Sequence, residues 1–410
     1  MKSKKKLIIV SAASSAVGIG AIVGVSTWIA THKPKEIARG GNPINKDDEP
    51  GDKKYEIIDS NSGNIIDFDA VFNNKQNVDL PEQRIKSSHF INKNTKIKYV
   101  AIGDSITAGF DGTLEKDYKG SFENGLVTGL SYPSYLSRLF NKINRLESFD
   151  NYSVTGSTIN EWIDLLQLST NPKDLVSESS LISRFGKDYK LLAKEIIKQL
   201  KESNFITLSI GANDFIHTFI DAIKQSGITQ SIQLILNDNP TFGPLIEDVK
   251  KILDSSIKEV SRRLQVFASE IKKLAPNANI NFISYPTPFL KLKYMIDNFV
   301  KNFAGDIAKD FSITDFFTGI LNNTIKLNAN RNGINFINPV NNQFWNKNAQ
   351  KISSIWFDIH PNTNGYKKLA IDLFIKLTNP SLIIDDYQKI GDFNFSTDFL
   401  KSDYQTATYQ

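Results

Sequence analysis

Residues 97–109 read IKYVAIGDSITAG, and the expected fold can be worked out from this stretch. Residues 97–102 are apolar or β-forming, which predicts a buried strand that ends at Gly103 and Asp104. Ser105 then stands on a turn just past the carboxyl end of that strand. Ligands bind at this edge in open α/β sheets. A single serine in such a turn is more often a turn residue or a helix cap, so the rest of the chain decides its meaning.

The same succession of buried strand, turn and helix recurs along the chain. A polar, glycine-rich loop follows at 110–131, and apolar residues at helical spacing predict a helix from Tyr132 and others at about 187–202 and 250–274. Further strands are predicted at 148–154, 205–210, 280–284 and 334–337. A last helix begins at Asn362 or Thr363, either of which can cap it. This alternation predicts a parallel sheet with helices on both faces.

Glycines and polar side chains follow several of these strands. Gly156 comes after the second strand and Asn213 after the third, while His360 lies on the loop that enters the last helix, beside Asp358. Each has an ordinary structural interpretation when taken alone. Gly156 can be a turn glycine, Asn213 a helix cap and His360 a surface histidine.

Four short blocks carry a resemblance to a known family. GDSITAG at 103–109, the glycine of VTGST at 154–158, GAND at 211–214 and DIHPN at 358–362 resemble, in that order, the blocks of the SGNH (GDSL) hydrolase superfamily. The resemblance covers about 97–380. It implies a three-layer α/β/α flavodoxin-like domain with a five-stranded parallel sheet and helical insertions. It also implies serine-dependent ester hydrolysis, with no cofactor and no metal.

The resemblance assigns a role to each matching residue. Ser105 is the nucleophile and His360 the base, and the amides of Ser105 and Gly156 form the oxyanion hole with the side chain of Asn213. A serine hydroxyl is a poor nucleophile without a base within reach, and imidazole, with an ordinary pKa of about 6.5, suits that work at neutral pH. Holding the oxyanion of the tetrahedral intermediate then requires positioned donors.

One position departs from the family pattern. The triad aspartate is usually three residues before the histidine, where this chain has Phe357. Either Asp358, two residues before His360, or a backbone carbonyl near Phe357 would then orient the imidazole. Asp358 is the favoured candidate. The other nearby carboxylates are interpreted as structural, Asp104 as a brace for the serine turn and Asp214 as a helix cap.

Composition excludes several other classes of function. The 410 residues contain no cysteine, which rules out disulfides, thiol catalysis and cysteine-ligated metals. The formal net charge is +5, and much of the excess comes from lysines near the amino terminus, so nothing favours nucleic acid as a partner. The expected partner is a small-molecule or lipid ester substrate, and the sequence does not indicate an oligomeric state.

The first thirty residues differ from the rest of the chain. Several lysines precede an uncharged stretch from Leu7 to Ala30 that is long enough to span a bilayer as a helix. The basic flank predicts a membrane anchor with the catalytic domain outside the cell. The alternative is a cleaved signal peptide, which would make the protein secreted. The predicted organisation continues as a flexible linker at 31–54, a peripheral extension at 55–94, the hydrolase domain at 95–385 and a tail at 386–410.

The leading hypothesis for the function is hydrolysis of lipid or other carboxylic esters, and two alternatives are kept. A helical cap is predicted at about 288–332, and its aromatic residues either form a wall for an acyl chain or pack the core of the cap itself (Phe289, Tyr294, Phe299, Phe303, Phe311, Phe316 and Phe317). A wall would favour lipid or other carboxylic esters. The alternatives are a carbohydrate O-acetylesterase and, in another class, a surface binding protein built on a hydrolase scaffold. His89 and His217 are interpreted as surface or packed histidines.

Overall fold

Five parallel strands form the central sheet. They are β1 (Ile97–Gly103), β2 (Leu146–Asn151), β3 (Phe205–Ser209), β4 (Asn279–Ile283) and β5 (Asn335–Ile337). Their order across the sheet is β2-β1-β3-β4-β5, and every neighbouring pair is parallel. This is the strand order of a flavodoxin-like fold, in which the direction of winding reverses between β1 and β3. The predicted α/β class and the five-stranded parallel sheet are confirmed.

The computed structural model describes residues 96–112, 114–142, 144–167, 181, 189–226, 242–287, 290, 293, 312–340, 342–354 and 358–377. The predicted anchor, linker and extension at 1–94 and the tail at 386–410 lie outside these residues. Among the described helices, none is both long enough and apolar enough to cross a membrane.

Helices connect the strands and cover the sheet. In chain order the described helices are α1 (Ser105–Ala108), α2 (Tyr132–Lys142), α3 (Ile159–Gln167), α4 (Tyr189–Glu202), α5 (Ala212–Ser226), α6 (Phe242–Leu274), α7 (Ile313–Arg331), α8 (Asn342–Lys347), α9 (Ala349–Ile352) and α10 (Thr363–Leu377). Helices α2 and α10 pack on each other, and α6 packs against α3, α5 and α7. These two groups of helices form the outer layers.

The side-chain register of the strands shows that both faces of the sheet are buried. Tyr99 and Phe205 are register partners on one face, and the Phe140 ring of α2 lies 6.5 Å and 5.5 Å from their rings. Phe282 points to the opposite face because successive strand residues alternate. There its ring lies 6.2 Å from Phe267 of α6. Every residue of β3 is buried, as expected for a strand that is covered on both faces.

The structure moves several predicted boundaries. Strand β2 begins at Leu146, two residues before the predicted start, because Leu146 pairs with Ile97. Helix α6 begins at Phe242 rather than near 250. The loop at 110–131 contains two short antiparallel ribbons, one joining Phe110–Asp111 to Lys116–Asp117 and one joining Phe122–Glu123 to Leu126–Val127. Local periodicity does not detect paired segments of two residues.

Part of the range predicted as a helical cap is a helix that covers the sheet. Helix α7 connects β4 to β5, packs against α6 and β5, and buries Ile320, Ile325 and Ala329. Its apolar residues therefore serve the main core and not a separate cap. Phe317 contributes to that packing, with its ring 6.2 Å from Phe215. The aromatic residues before Ser312 lie outside the described residues.

Candidate active site

The turn after β1 holds Ser105 at the first position of α1. The four residues of α1 are too few to form a stable helix without outside contacts. Asp104 supplies one contact, because its Oδ1 accepts a hydrogen bond from the Ile106 N–H at 3.1 Å. Its own N–H donates to the Ser209 carbonyl of β3 at 2.9 Å. The predicted bracing role of Asp104 is therefore present in the structure, and Ser105 is buried in this turn.

Close approach of the backbone explains the glycine that precedes this turn. Gly103 has a φ of 150°. A Cβ atom at this position would lie 2.3 Å from the Ser209 carbonyl oxygen. Only glycine allows β1 and β3 to come together here just before the nucleophile candidate.

The Asp104 carboxyl group is completely buried beside the imidazole loop. Burial raises its pKa to about 7, and hydrogen bonds from the Tyr285 hydroxyl and the Ile106 N–H, together with attraction to His360, oppose that rise. Tyr285 donates to Asp104 Oδ2 at 2.5 Å. The turn that carries Ser105 therefore contains a carboxyl group whose protonation changes near neutral pH.

Hydrogen bonds connect the turn around Gly156, the second of the four blocks, to the end of β1. Gly156 has a φ of 82°, in the left-handed region that favours glycine. The neighbouring Ser157 donates its hydroxyl to the Gly103 carbonyl at 3.0 Å and accepts from the Trp162 indole at 3.0 Å. On the other side, the hydroxyl and N–H of Thr155 both donate to the Asp117 carboxylate. These bonds fix the Gly156 turn against the end of β1.

Asn213 is the second residue of α5 and reaches across to that same turn. Its Nδ2 donates to the Ser157 carbonyl at 2.9 Å, so its carboxamide links the third block to the second. The side chain thus makes a tertiary contact and does not cap its own helix. Asp214, predicted to be a cap, does cap a helix, but the helix is α3. Its Oδ2 accepts from the Ile159 N–H at 2.8 Å, and its Oδ1 pairs with Arg263 at 3.1 Å.

His360 contacts Asp358 through both its ring and its backbone. Asp358 Oδ1 lies 2.5 Å from the imidazole Nδ1 and also accepts the His360 N–H at 3.1 Å. The two side chains are 10% and 8% exposed. The opposite ring nitrogen, Nε2, is buried and has no hydrogen-bond partner among the residues that the structure describes. The Phe110 ring, which follows α1 in the chain, packs 4.8 Å from the imidazole.

Local hydrogen bonds hold the histidine loop at the start of α10. The Ser354 N–H donates to the His360 carbonyl at 3.2 Å, and the Asn362 N–H donates to the Ile352 carbonyl at 2.9 Å. Asn362 Oδ1 also accepts from the Gly365 N–H at 3.1 Å, which makes Asn362 the predicted helix cap. The loop is therefore anchored on both sides of His360.

The sheet order explains how distant blocks meet. Strands β2, β1 and β3 are neighbours, so the turns that carry Gly156, Ser105 and Asn213 emerge side by side at one edge. The histidine loop reaches this edge through Phe110 and Gly112, which lie just beyond α1. A Cβ atom on Gly112 would lie 1.8 Å from Asp358 Oδ2, so the two loops are in close contact.

Sequence patterns miss other residues that shape this site. These residues hydrogen-bond or closely contact residues in or next to the candidate site, but no motif in the sequence marks them: Tyr285, Asn322, Gly112 and Asp117. His217 is exposed on α5, which fits the interpretation of a surface histidine. Within the described residues, no three histidine or acidic side chains are grouped as a metal site would require.

A depression lies beside His360. Its empty volume is about 190 Å³, which includes space open to solvent. The lining combines apolar and polar groups: Pro286, Thr287, Leu290, Trp345, Ser353, Asp358, Ile359, His360 and Pro361. The depression is therefore adjacent to the candidate base.

A family model now connects these residues. The model of the GDSL-like lipase/acylhydrolase family matches residues 101–368, a span that includes all four blocks and more than half of the chain. The chain belongs to this family. Membership of the GDSL-like family makes the protein a carboxylic ester hydrolase, as the resemblance implies.

Three solved structures resemble the chain at low sequence identity. Phospholipase A1 from Streptomyces albidoflavus NA297 is 17% identical, with 68% of this chain and 98% of that chain covered and a TM-score of 0.35. The extracellular lipase from Streptomyces rimosus is 14% identical, with 67% of this chain and 97% of that chain covered and a TM-score of 0.35. An acetyl xylan esterase from Butyrivibrio proteoclasticus is 15% identical, with 69% of this chain and 63% of that chain covered and a TM-score of 0.33. No curated protein matches the chain.

Proposed function

We propose that this GDSL-like hydrolase cleaves carboxylic esters through an acyl-enzyme on Ser105, with His360 as general base and Asp358 as the residue that orients the imidazole. The observation that carries the proposal is the 2.5 Å contact between Asp358 Oδ1 and His360 Nδ1. Because this contact occupies Nδ1, Nε2 is the ring nitrogen left to accept the proton of Ser105. In unliganded enzymes the bond from nucleophile to base is often long, and it tightens when substrate is bound.

The same histidine carries every proton transfer of the reaction, in acylation and again in deacylation. Nε2 of His360 takes the Ser105 proton as Oγ forms a bond to the ester carbonyl carbon. The resulting imidazolium, stabilised by Asp358, then gives the proton to the leaving alkoxide as the carbon–oxygen bond breaks. Water attacks the acyl-enzyme with His360 again as base. The carboxylic acid leaves and Ser105 recovers its proton.

Three N–H donors are available for the oxyanion. The proposal uses the backbone amides of Ser105 and Gly156 and one hydrogen of the Asn213 carboxamide. The other hydrogen of that carboxamide is occupied by the Ser157 carbonyl, which holds the group in place. Donors fixed before the reaction stabilise the developing charge without further reorganisation, and each contributes about 10²–10³ in rate.

The lining of the depression supports a substrate with an apolar acyl group. Leu290 and Trp345 are buried in its wall, and Pro286 and Ile359 also face it. An acyl chain placed there leaves water and loses exposed apolar surface, which favours binding. The small volume gives a second candidate, a carbohydrate O-acetylesterase, because an acetyl group needs little space.

Hydrolysis of p-nitrophenyl esters of increasing chain length tests the function. We expect turnover by the wild type and at least a thousandfold lower kcat for Ser105→Ala, an order of magnitude set by loss of the nucleophile (~10³ or more). Ser137→Ala is the matched control, since the Ser137 hydroxyl is buried in α2 and no described residue forms a hydrogen bond with it. A wild type no faster than Ser105→Ala at every chain length would overturn the proposal. A sharp preference for acetate would favour the O-acetylesterase.

The location of the enzyme is a separate proposal that rests on residues 1–30. The basic flank and the following uncharged stretch favour a membrane anchor with the hydrolase domain outside the cell. Fractionation of cells that express the full chain tests it. We expect activity in the membrane fraction and its release when residues 1–30 are deleted. Activity that stays soluble with the full chain would contradict the anchor.

A further inference from the structure

We propose that Tyr285 is a positioning residue that sets the distance between the nucleophile Ser105 and the oxyanion donor Asn213, and that Asn322 holds Tyr285 in place. The proposal deepens the function proposed above and rests on it. Tyr285 follows β4, and none of the four family blocks includes it. Its role comes from four hydrogen bonds of its hydroxyl and backbone groups.

The Tyr285 hydroxyl bridges the two turns that carry the reaction. It donates to Asp104 Oδ2 at 2.5 Å, and Asp104 caps the helix that begins with Ser105. The same oxygen accepts the Ala212 N–H at 3.4 Å, at the residue directly before Asn213. One buried phenol therefore contacts the residue before the nucleophile and the residue before the oxyanion donor.

Asn322 fixes the backbone of Tyr285 from the opposite side. Its Oδ1 accepts the Tyr285 N–H at 2.8 Å, and its Nδ2 donates to the Tyr285 carbonyl at 3.0 Å. Pro286 follows directly and restricts Tyr285 to extended conformations. Helix α7 is packed against α6 and β5, so Asn322 is a stable support. The carboxamide pairs with both backbone groups of Tyr285 much as a neighbouring strand would.

The need for such a support follows from the local structure of the serine turn. A helix of four residues does not hold its own position. Ser105 and Asn213 also lie at the starts of different helices, and the hydrogen bond of the Asn213 side chain is to the Ser157 carbonyl and not to the serine turn. Tyr285 supplies a direct link between the turns that lead into those helices. A change of about 1 Å in their spacing is enough to lower the rate, because transition-state contacts depend on accurate placement.

Two buried tyrosines give a matched comparison. In Tyr285→Phe the ring remains and only the bridging hydroxyl is lost. Tyr99→Phe likewise removes one buried hydroxyl, which bonds Thr207 at 2.6 Å within the sheet and away from the turns. For Tyr285→Phe we expect about a tenfold fall in kcat with KM changed by less than about twofold. The rate of inactivation by a fluorophosphonate, which reports Ser105 reactivity directly, should fall by a similar factor. Tyr99→Phe should keep both rates.

The support from α7 is tested by a second pair of variants. Asn322→Leu removes both bonds to the Tyr285 backbone, while Asn328→Leu removes a buried asparagine of the same helix that bonds Ser261 and Thr324. We expect Asn322→Leu alone to lower kcat. Because Asn322 acts through Tyr285, the double variant Tyr285→Phe/Asn322→Leu should be no slower than the slower single variant.

The outcomes separate the two proposals. If the wild type has no Ser105-dependent turnover, the proposed function fails. If the wild type is active and Tyr285→Phe matches it in kcat and fluorophosphonate rate, the function stands and the positioning role is overturned. Equal losses of activity and melting temperature in Tyr285→Phe and Tyr99→Phe would also overturn it, since they would report general destabilisation.

Discussion

Asp358 Oδ1 is 2.5 Å from Nδ1 of His360, although only one residue separates the two in the chain. The same oxygen accepts the His360 backbone N–H, so the carboxylate closes a tight local turn and meets the imidazole at once. An aspartate one position closer to the histidine than the family pattern can therefore still reach the ring. The alternative, a carbonyl near Phe357, concerns a residue outside the described ones.

Replacing the carboxylate tests its role. In Asp358→Asn the shape is kept, but the negative charge that stabilises the imidazolium is lost. We expect kcat to fall by about 10²–10⁴ with little change in KM, by analogy with the loss of a triad aspartate. Asp372→Asn is the control, because Asp372 is a largely buried carboxylate on α10 that pairs with Lys368. An unchanged rate for Asp358→Asn would assign the orientation to a backbone carbonyl.

Gly112 should be sensitive to the smallest possible side chain. Its Cβ would lie 1.8 Å from Asp358 Oδ2, so Gly112→Ala must displace the carboxylate or the loop. We expect a fall in kcat of at least about tenfold, measured on p-nitrophenyl esters. Gly333→Ala is the comparison variant, since its Cβ would meet nothing within 4 Å while its φ of 63° is strained for alanine. It should lose about 1 kcal/mol of stability and keep its kcat.

Asn213 should contribute through its side chain alone. Asn213→Ala removes the proposed oxyanion donor and the bond to Ser157, and we expect kcat to fall by about 10²–10³. Asn204→Ala is the control. Its side chain also forms hydrogen bonds to backbone groups, those of Lys98 and Lys96, but it lies at the opposite end of the sheet. If both variants lost the same activity at equal stability, Asn213 would have no role as a donor.

The buried Asp104 carboxyl group predicts a pH dependence of stability. Burial raises its pKa from 3.8 to about 7, so the folded state binds more protons than the unfolded state between these values. The stability associated with this group is then complete below about pH 4 and is lost as pH rises through about 7. Denaturant unfolding from pH 4 to 8 should show the wild type losing stability relative to Asp104→Asn.

Glu259 should change stability with pH in the opposite direction, and the same denaturant measurements can show it. Hydrogen bonds from Arg262 and Arg263 lower its pKa to about 2. The contribution of Glu259 to folding stability should therefore be present above about pH 4.5 and decline as pH falls toward 2. Glu259→Gln should remove this pH dependence.

A stability difference between wild type and Asp104→Asn that stays constant with pH would show that Asp104 does not titrate in this range.

Residues that obey local rules are predictable from the sequence. The strands before Ser105 and Asn213 consist mostly of apolar or β-forming residues, and the start of α10 has the usual asparagine cap, so their places in the chain follow from neighbouring residues. The early start of β2 was not predictable in this way. Leu146 joins the sheet because it pairs with Ile97, and periodicity does not report such a partner.

The sequence by itself determined the class of fold, the order of the four blocks and the identity of the proposed nucleophile, base and oxyanion donors. Tertiary structure alone decided that Asp358 reaches His360, that Gly112 lies against Asp358 and that Tyr285 joins the serine turn to α5. The reason is physical. Strand and helix patterns arise from contacts between near neighbours in the chain, whereas the bond between Tyr285 and Asp104 spans 181 residues and exists only once β1, β3 and β4 are assembled.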